Sequence, residues 1–246
     1  MRPLSTLDRR TLLKAMTLAP MAAAFPAALQ AEVARKGLIS TDVCLLSAEV
    51  TEGPFYVDPK LVRADITEGK PGLPMQLRLQ VVAADCAPVA GARVDLWHCD
   101  ASGEYSGVQN MGGGGDTRGE TFLRGTQRTD LAGVVAFQTV FPGWYRGRTT
   151  HLHYKVFLDE KSVLTSQIFF DEAVNAAIYA EHPAYARSEP RDMLNANDGI
   201  AEDAGDGAYA RVKMTEPDGA MDAALVVGIS PQHGQTGLLD WLWKRS

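Results

Sequence analysis

Tyrosine, arginine and histidine side chains gather in a short stretch of the sequence, from Tyr145 to His153. The stretch reads Tyr-Arg-Gly-Arg-Thr-Thr-His-Leu-His and leads into Tyr-Lys-Val-Phe-Leu, which is typical of a β-strand. Successive side chains of a strand point to opposite faces, so His151 and His153 point the same way and can reach one ion. An imidazole pair suits Zn, Cu, Fe or Ni. A tyrosine ligand favours a strongly Lewis-acidic metal, because a free phenol loses its proton only near pH ~10.

The His-x-His spacing alone leaves other interpretations open. It is compatible with two half-exposed surface residues of a strand, and with a Zn or Cu hydrolase or oxidase. The surroundings favour a site, because Arg146 and Arg148 stand just before the strand, next to Gly143 and Gly147. The chain therefore turns where these polar groups collect, and binding residues are often found on such loops.

A second stretch, from Val94 to Gly107, begins as a strand and then breaks into polar and glycine positions that place Tyr105 on a loop. With it, the chain resembles the intradiol ring-cleavage dioxygenases, a family that holds a non-haem ferric ion with two tyrosines and two histidines. The resemblance extends from about Cys44 to Phe170. The matching motifs, in order, are Thr51-Glu-Gly-Pro-Phe-Tyr56, Asp95-Leu-Trp97 with Gly103-Glu-Tyr105-Ser-Gly107, Arg124-Gly-Thr-Gln-Arg-Thr-Asp130, Phe141-Pro-Gly-Trp-Tyr145, Arg148-Thr-Thr-His151-Leu-His153 and Gln167-Ile-Phe-Phe.

The resemblance implies a set of iron ligands. Matched position by position, Tyr105, Tyr145, His151 and His153 would bind Fe(3+). In the family one phenolate leaves the metal when a catechol chelates it and then accepts a proton from the substrate. Tyr145 matches that residue, so we expect it to act in catalysis as well as in metal binding.

The resemblance also assigns residues around the metal. Arg148 matches the active-site arginine beside the substrate ring, where a fixed cation would stabilise developing negative charge. Gln167 matches a polar residue on the next strand and joins Arg148 and Tyr145 in the expected catalytic set. Gly53 and Pro54 are expected to line the substrate pocket.

The implied activity is oxidative cleavage of an aromatic ring. A catechol-type diol and O2 would react so that the ring opens between its two hydroxylated carbons, giving a cis,cis-muconate-type diacid. The sequence Gly-Arg-Thr-Thr-His, from Gly147 to His151, is similar to the exported, single-chain branch of the family, whereas catechol and protocatechuate enzymes have Trp-Arg-Pro-Ala-His-Ile-His there. The alternative is a transthyretin-like β-sandwich that binds ligands without a metal, which would not need Tyr105 and Tyr145 to meet the histidines.

The N-terminus has the features of an export signal. Arg9 and Arg10 precede Lys14 and an apolar, alanine-rich run over residues 15–29, as in a twin-arginine signal peptide. The run is too short for a permanent membrane anchor. We expect residues 1–31 to be a signal peptide and the protein to be exported, periplasmic or secreted.

Composition agrees with one exported domain. About 215 residues remain after residues 1–31 are removed, enough for a single large core. The net charge is −6 and no long basic run occurs, which argues against nucleic acid as a partner. Of three cysteines, Cys44 could pair with either Cys86 or Cys99 in an oxidising compartment.

Short alternating segments predict an all-β fold, an antiparallel β-sandwich with one short helix, long loops and the metal site at one edge. The expected domain covers residues 75–230, after an N-terminal arm at 32–74. Asp171 is expected to cap the helix, and the tail at 231–246 to pack on the domain or on a second copy of the chain. The expected strands are 75–82, 92–97, 133–140, 150–158, 163–170 and 223–229, with a helix at 171–181 and loops at 112–116 and 195–207.

Overall fold

A computed structural model describes residues 45–58, 60–109, 115–215 and 219–230. The expected signal peptide at 1–31, the tail at 231–246, Cys44 and most of the glycine run at 112–116 lie outside these ranges. Within them, no helix is both long enough and apolar enough to span a bilayer. The arm and the domain expected at 75–230 are described except for residues 32–44, 59, 110–114 and 216–218.

The described chain forms two four-stranded sheets packed face to face, which confirms the predicted β-sandwich. The sheets run in the orders β4-β1-β8-β7 and β3-β2-β5-β6, and every pairing is antiparallel except that of β1 with β8, which is parallel. The strands are β1 (Pro74–Ala83), β2 (Arg93–Trp97), β3 (Arg124–Arg128), β4 (Val134–Val140), β5 (His151–Leu158), β6 (Lys161–Phe169), β7 (Arg211–Thr215) and β8 (Ala220–Ile229).

The core lies between the inner faces of the sheets. In β1, Met75, Leu77, Leu79 and Val81 are buried, and the first three alternate with the more exposed Gln76 and Arg78, as the period of a half-buried strand requires. They pack with apolar residues of the opposite sheet, such as Leu152 in β5. All six expected strands are found within a few residues of their predicted limits, whereas β3 and β7 were not predicted.

Helices occupy the connection between β6 and β7. The helix α1 (Glu172–Glu181) confirms the predicted one, but the expected cap is wrong, because the Asp171 side chain accepts no hydrogen bond from the helix. The prediction of a long loop at 195–207 is also wrong. That segment contains a second helix, α2 (Gly199–Ala204), which the Asp198 carboxylate caps by accepting hydrogen bonds from the amides of Ile200 and Ala201.

The N-terminal arm connects the edges of the two sheets. Residues 61–66 pair with Thr126 in β3 and with Gln138 in β4, and these strands lie at the edges of different sheets. The Arg63 amide donates to the Thr126 carbonyl at 3.1 Å, and the Ile66 amide donates to the Gln138 carbonyl at 3.0 Å. The arm thereby satisfies backbone groups that two edge strands would otherwise expose.

The cysteines divide into two classes. Cys86 is disulfide-bonded. Cys99 is a free, buried thiol whose Sγ lies 3.4 Å from the Gly143 carbonyl oxygen. Cys99 is therefore not available to Cys44, which was one of the two pairings that the sequence left open.

Candidate metal centre

Two loops and one strand bring the expected ligands together. Tyr105 lies on the loop that follows β2, and Tyr145 lies on the loop between β4 and β5. His151 and His153 are the first and third residues of β5, so they share one face of the strand as their spacing predicts. The four side chains converge at the edge of the sandwich.

His151 is at the centre of the cluster. Its Nδ1 donates a hydrogen bond to the Thr149 carbonyl oxygen at 2.7 Å, so Nε2 carries the lone pair. That Nε2 lies 3.1 Å from the Tyr145 hydroxyl, 3.4 Å from the Tyr105 hydroxyl and 3.1 Å from Nε2 of His153. One lone pair cannot accept hydrogen bonds from three groups at once, whereas a cation can be approached by all four donor atoms.

His153 is held mainly by ring stacking. Its imidazole is stacked on Trp97, with ring centroids 4.9 Å apart and an interplanar angle of 10°. Trp97 is the residue opposite His153 in the pairing of β2 with β5, so strand register sets this contact. Among the described residues, the buried Nδ1 of His153 has no hydrogen-bond partner. Stacking on Trp97 and the 3.1 Å contact of its Nε2 with Nε2 of His151 therefore fix the ring.

The two tyrosines differ in exposure. Tyr105 is fully buried and stacks on Phe55 at a centroid distance of 4.6 Å, whereas Tyr145 is only partly buried. Burial raises the pKa of Tyr145 to about 12 and raises that of Tyr105 well above the ordinary value. Both phenols therefore keep their protons near neutral pH unless a strongly Lewis-acidic cation displaces those protons.

Burial has the opposite effect on the imidazoles. It lowers the pKa of His151 to about 3 and lowers that of His153 well below the ordinary range, with neighbouring positive groups contributing. Both rings are neutral at physiological pH, which is the state that binds metals. Two neutral imidazoles and two phenols make a donor set that fits a hard trivalent ion such as Fe(3+).

Arg148 lies beside this cluster, and its guanidinium is held from two sides. Its Nε donates to Asp198 Oδ2 at 2.8 Å, and its Nη2 donates to Gln167 Oε1 at 2.6 Å. Gln167, directly opposite His153 in the pairing of β5 with β6, in turn donates to the Thr51 carbonyl at 3.0 Å. The structure thus brings together Arg148 and Gln167, two residues of the expected catalytic set.

A cavity of about 1010 Å³ opens beside the cluster. Its lining includes Gly53, Pro54, Tyr145, Arg148 and His153, so every residue expected to contact substrate borders it. Gly53 has a φ of +71°, and a Cβ there would stand 3.4 Å from Cε1 of His153. Glycine lets the chain pass close to the imidazole without narrowing the cavity.

His98 is buried near the site, but its ring nitrogens form hydrogen bonds with residues outside the cluster. Its Nδ1 donates to the Cys99 carbonyl at 2.7 Å, and its Nε2 accepts from the Thr139 hydroxyl at 2.7 Å. Both ring nitrogens are used, so His98 has a structural role.

Sequence reasoning missed Asp198. It lies in a segment interpreted as a loop, yet an Asp before Gly-Ile-Ala-Glu-Asp-Ala is a recognisable helix start and could have been found. Its contact with Arg148 spans 50 positions and depends on how the segment folds back on the sandwich. Local sequence carries no signal of that contact.

Comparison with known proteins gives matches over the same region. Residues 51–210 match the Dioxygenase_C family, described as dioxygenase. Chlorocatechol 1,2-dioxygenase of Pseudomonas sp. (strain P51) is 28% identical over 146 residues, which are 51% of this chain and 56% of the relative. Catechol 1,2-dioxygenase 1 of Acinetobacter lwoffii is 30% identical over 139 residues, 47% of this chain and 43% of the relative. The chain spans about half the length of these curated relatives.

Solved structures extend the similarity. An intradiol ring-cleavage dioxygenase from Tetranychus urticae superposes with a TM-score of 0.71 at 33% identity, covering 77% of this chain and 97% of that chain. The 3-chlorocatechol 1,2-dioxygenase from Rhodococcus opacus 1CP gives a TM-score of 0.55 at 20% identity, covering 84% of this chain and 78% of that one. The second match shows a shared fold alone.

Proposed function

We propose that this chain, which belongs to the intradiol ring-cleavage dioxygenase family, uses Fe(3+) and O2 to cleave a catechol-type ring between its two hydroxylated carbons. The product would be a cis,cis-muconate-type diacid. The iron would be held by Tyr105, Tyr145, His151 and His153. The observation that carries the proposal is the convergence of two phenol oxygens and a second imidazole within 3.4 Å of Nε2 of His151.

The chemistry divides between the metal and the protein. When bound, the ferric ion would supply a Lewis acid that withdraws electron density from a catechol and makes a ring carbon reactive toward dioxygen. Tyr145 borders the cavity, whereas Tyr105 is buried behind it. Tyr145 is therefore the phenol that an incoming diol would meet first, and its phenolate, once released from the metal, would accept a proton from the substrate hydroxyl.

Arg148 would stabilise the charge that develops during the reaction. Its guanidinium borders the cavity and its side chain is only 16% exposed. A cation held in place where little water is present stabilises negative charge on a bound ring without first having to reorient. Gln167 contributes by fixing the orientation of that guanidinium.

The observed geometry does not favour a metal-free binding module. Such a module needs a cavity, but it gains nothing from burying four groups with their donor atoms in contact. Burying polar groups without full hydrogen bonding is costly, and the one lone pair on Nε2 of His151 faces two phenol oxygens and a second imidazole nitrogen. A cation bound by these four atoms would use a lone pair of each.

The proposal is tested by the visible spectrum, metal content and product of the purified protein. We expect a tyrosinate-to-iron absorption band that shifts when catechol is added without oxygen. On admission of ¹⁸O2, the ring-opened diacid should contain both labelled oxygen atoms. His151→Ala should lose the band and the turnover together. A protein that stays colourless after ferric reconstitution, or a product with no labelled oxygen, would exclude the function.

The proposed place of action is outside the cytoplasm. The support is the arginine pair Arg9-Arg10 before the apolar run at 15–29. The test fuses residues 1–40 to a reporter protein that folds before export. We expect the reporter to leave the cytoplasm, and the change of both arginines to lysine to retain it. Equal export of both fusions would contradict a twin-arginine route.

A further inference from the structure

The Asp198 carboxylate is shared between the candidate site and helix α2. Oδ2 accepts hydrogen bonds from Arg148 Nε at 2.8 Å and from the Thr149 amide at 2.9 Å. Oδ1 accepts from the amides of Ile200 at 2.9 Å and Ala201 at 3.3 Å. The side chain is 3% exposed. Four donors therefore converge on one buried carboxylate. Oδ2 binds the residues beside the candidate site, and Oδ1 binds the N-terminus of helix α2.

This arrangement requires a carboxylate. An asparagine at this position would have one acceptor oxygen and one donor amide, so it could serve only one of the two sides. Asparagine is a good helix cap. The side-chain oxygen of the asparagine would then accept from Ile200 and Ala201. Its NH2 group, a donor, would face the N–H donors of Arg148 and Thr149, and no hydrogen bond could form there.

Arg148 depends on this contact for a fixed position. Its long side chain has many rotamers, and ordering them costs free energy. Gln167 accepts a hydrogen bond from Nη2 of the guanidinium, and Asp198 accepts one from Nε. With both contacts present, the plane of the guanidinium is set at the wall of the cavity. With one contact, the group can pivot about the remaining hydrogen bond.

We infer that Asp198 is a positioning residue that fixes Arg148 for ring cleavage and links that arginine to the N-terminus of helix α2. The inference rests on the proposed function for its catalytic consequence. Its structural part, the ordering of Arg148, stands on the contacts of Asp198 alone. Ile200 also borders the cavity, so the same carboxylate anchors a second part of the cavity wall.

The first test is the Asp198→Asn variant of the iron-loaded protein. We expect kcat for catechol to fall about 10-fold to 100-fold with a smaller change in KM. The reason is that a correctly oriented guanidinium stabilises charge that develops in the transition state and contributes less to substrate binding. The tyrosinate band should be unchanged, since the hydrogen bonds of Asp198 go to Arg148, Thr149, Ile200 and Ala201 and not to an expected ligand. The matched control is Asp171→Asn, at the exposed residue before helix α1 whose carboxylate makes no cap bond, and its kcat should equal that of the wild type.

A double-mutant cycle separates positioning from general structural damage. If Asp198 acts through Arg148, then Asp198→Asn should lower kcat little further in an Arg148→Gln background. Full additivity of the two losses would show that Asp198 acts on the fold and not through Arg148, and would overturn the inference.

A measurement without turnover distinguishes failure of this inference from failure of the proposed function. In the full chain, the Nε–H proton of Arg148 should exchange slowly with water in the wild type and in Asp171→Asn, and faster in Asp198→Asn. Equal exchange in wild type and Asp198→Asn would refute the positioning role, whatever the activity. Slow exchange in a wild-type protein that cleaves no catechol would refute the proposed function and leave Asp198 as the anchor of Arg148.

Discussion

At the scale of single residues, the two tyrosines share a metal site but have different surroundings. Tyr145 borders the cavity and Tyr105 does not. For Tyr145→Phe we expect kcat to fall about 100-fold, because the substrate loses a proton acceptor. Iron should remain bound, with a weaker tyrosinate band from Tyr105. Turnover and resonance Raman spectra of the tyrosinate vibrations provide the measurement.

A matched variant controls for the loss of a phenol hydroxyl. Tyr209→Phe removes the same group from a partly buried tyrosine that packs on Phe169 and does not border the cavity. Its turnover and band should match those of the wild type. Full activity in Tyr145→Phe would show that another base accepts the proton of the substrate.

Gly53 provides a second test at this scale. A methyl group there would lie 3.4 Å from Cε1 and 4.0 Å from Nε2 of His153, where the chain borders the cavity. We expect Gly53→Ala to raise KM for catechol about 10-fold, because the added carbon occupies space on the cavity wall beside His153. Steady-state kinetics with a substrate series measure this effect.

Gly69→Ala is the control for backbone strain. Gly69 has a φ of +73°, close to the +71° of Gly53, but a methyl group there meets no atom within 4 Å. Both variants should lose about 1 kcal/mol of stability from the left-handed backbone. Only Gly53→Ala should change KM. An equal KM in both variants would mean that Gly53 does not limit substrate access.

At the scale of elements, the N-terminal arm and β3 are joined by close packing. Gly125 of β3 lies under Ile66, and a Cβ at Gly125 would stand 2.5 Å from Cγ2 of Ile66. We expect Gly125→Ala to lower the free energy of unfolding by about 1 to 3 kcal/mol, because the arm must move away from β3. Urea unfolding measures the change.

Two further variants identify the cause. Ile66→Leu removes the methyl group in question, so it should recover part of the loss when combined with Gly125→Ala. Gly199→Ala, where a methyl group meets nothing within 4 Å, should be neutral or slightly stabilising. If Gly125→Ala were as stable as the wild type, the arm would not be tightly packed on β3.

The same elements show what the sequence could predict. Strands such as β1 alternate apolar and polar residues, and others such as β6 are short segments rich in apolar residues; these patterns marked six of the eight strands in the described residues. The strand β3 reads Arg-Gly-Thr-Gln-Arg and has no apolar side chain, because the arm covers it with Ile66 and its backbone pairs with both β2 and the arm. The strand β7 is short and half-exposed at a sheet edge. β3 therefore has no periodicity to detect, whereas β7 reads Arg-Val-Lys-Met-Thr and carries a short alternation that could have been found.

The candidate site was predictable to a similar extent. Tyr105, Tyr145, His151 and His153 lie in motifs whose order along the chain matches the family, so resemblance brought them together before any distance was known. Stacking of Trp97 on His153 follows from strand register, which a single sequence does not specify. Contacts made by folded loops, such as the one between Asp198 and Arg148, needed the structure.

At the scale of the whole molecule, buried neutral histidines make stability depend on pH. Burial lowers the pKa of His98 to about 4, below its ordinary value near 6.5. The unfolded chain therefore binds a proton at a pH where the folded protein does not, and acid favours unfolding. This contribution of His98 is fully present above about pH 6.5 and is lost as the pH falls toward about 4.

The effect can be isolated with His98→Gln. The variant should be less stable than the wild type near pH 7, because the hydrogen bonds to Thr139 and to the Cys99 carbonyl are disturbed. The difference in unfolding free energy should then shrink by on the order of 3 kcal/mol between about pH 7 and about pH 4, since the variant has no imidazole to protonate. Thr139→Val keeps the imidazole, so its deficit should persist in acid. A deficit of His98→Gln that stayed constant over this range would mean that the folded protein takes up a proton at His98 as readily as the unfolded chain does.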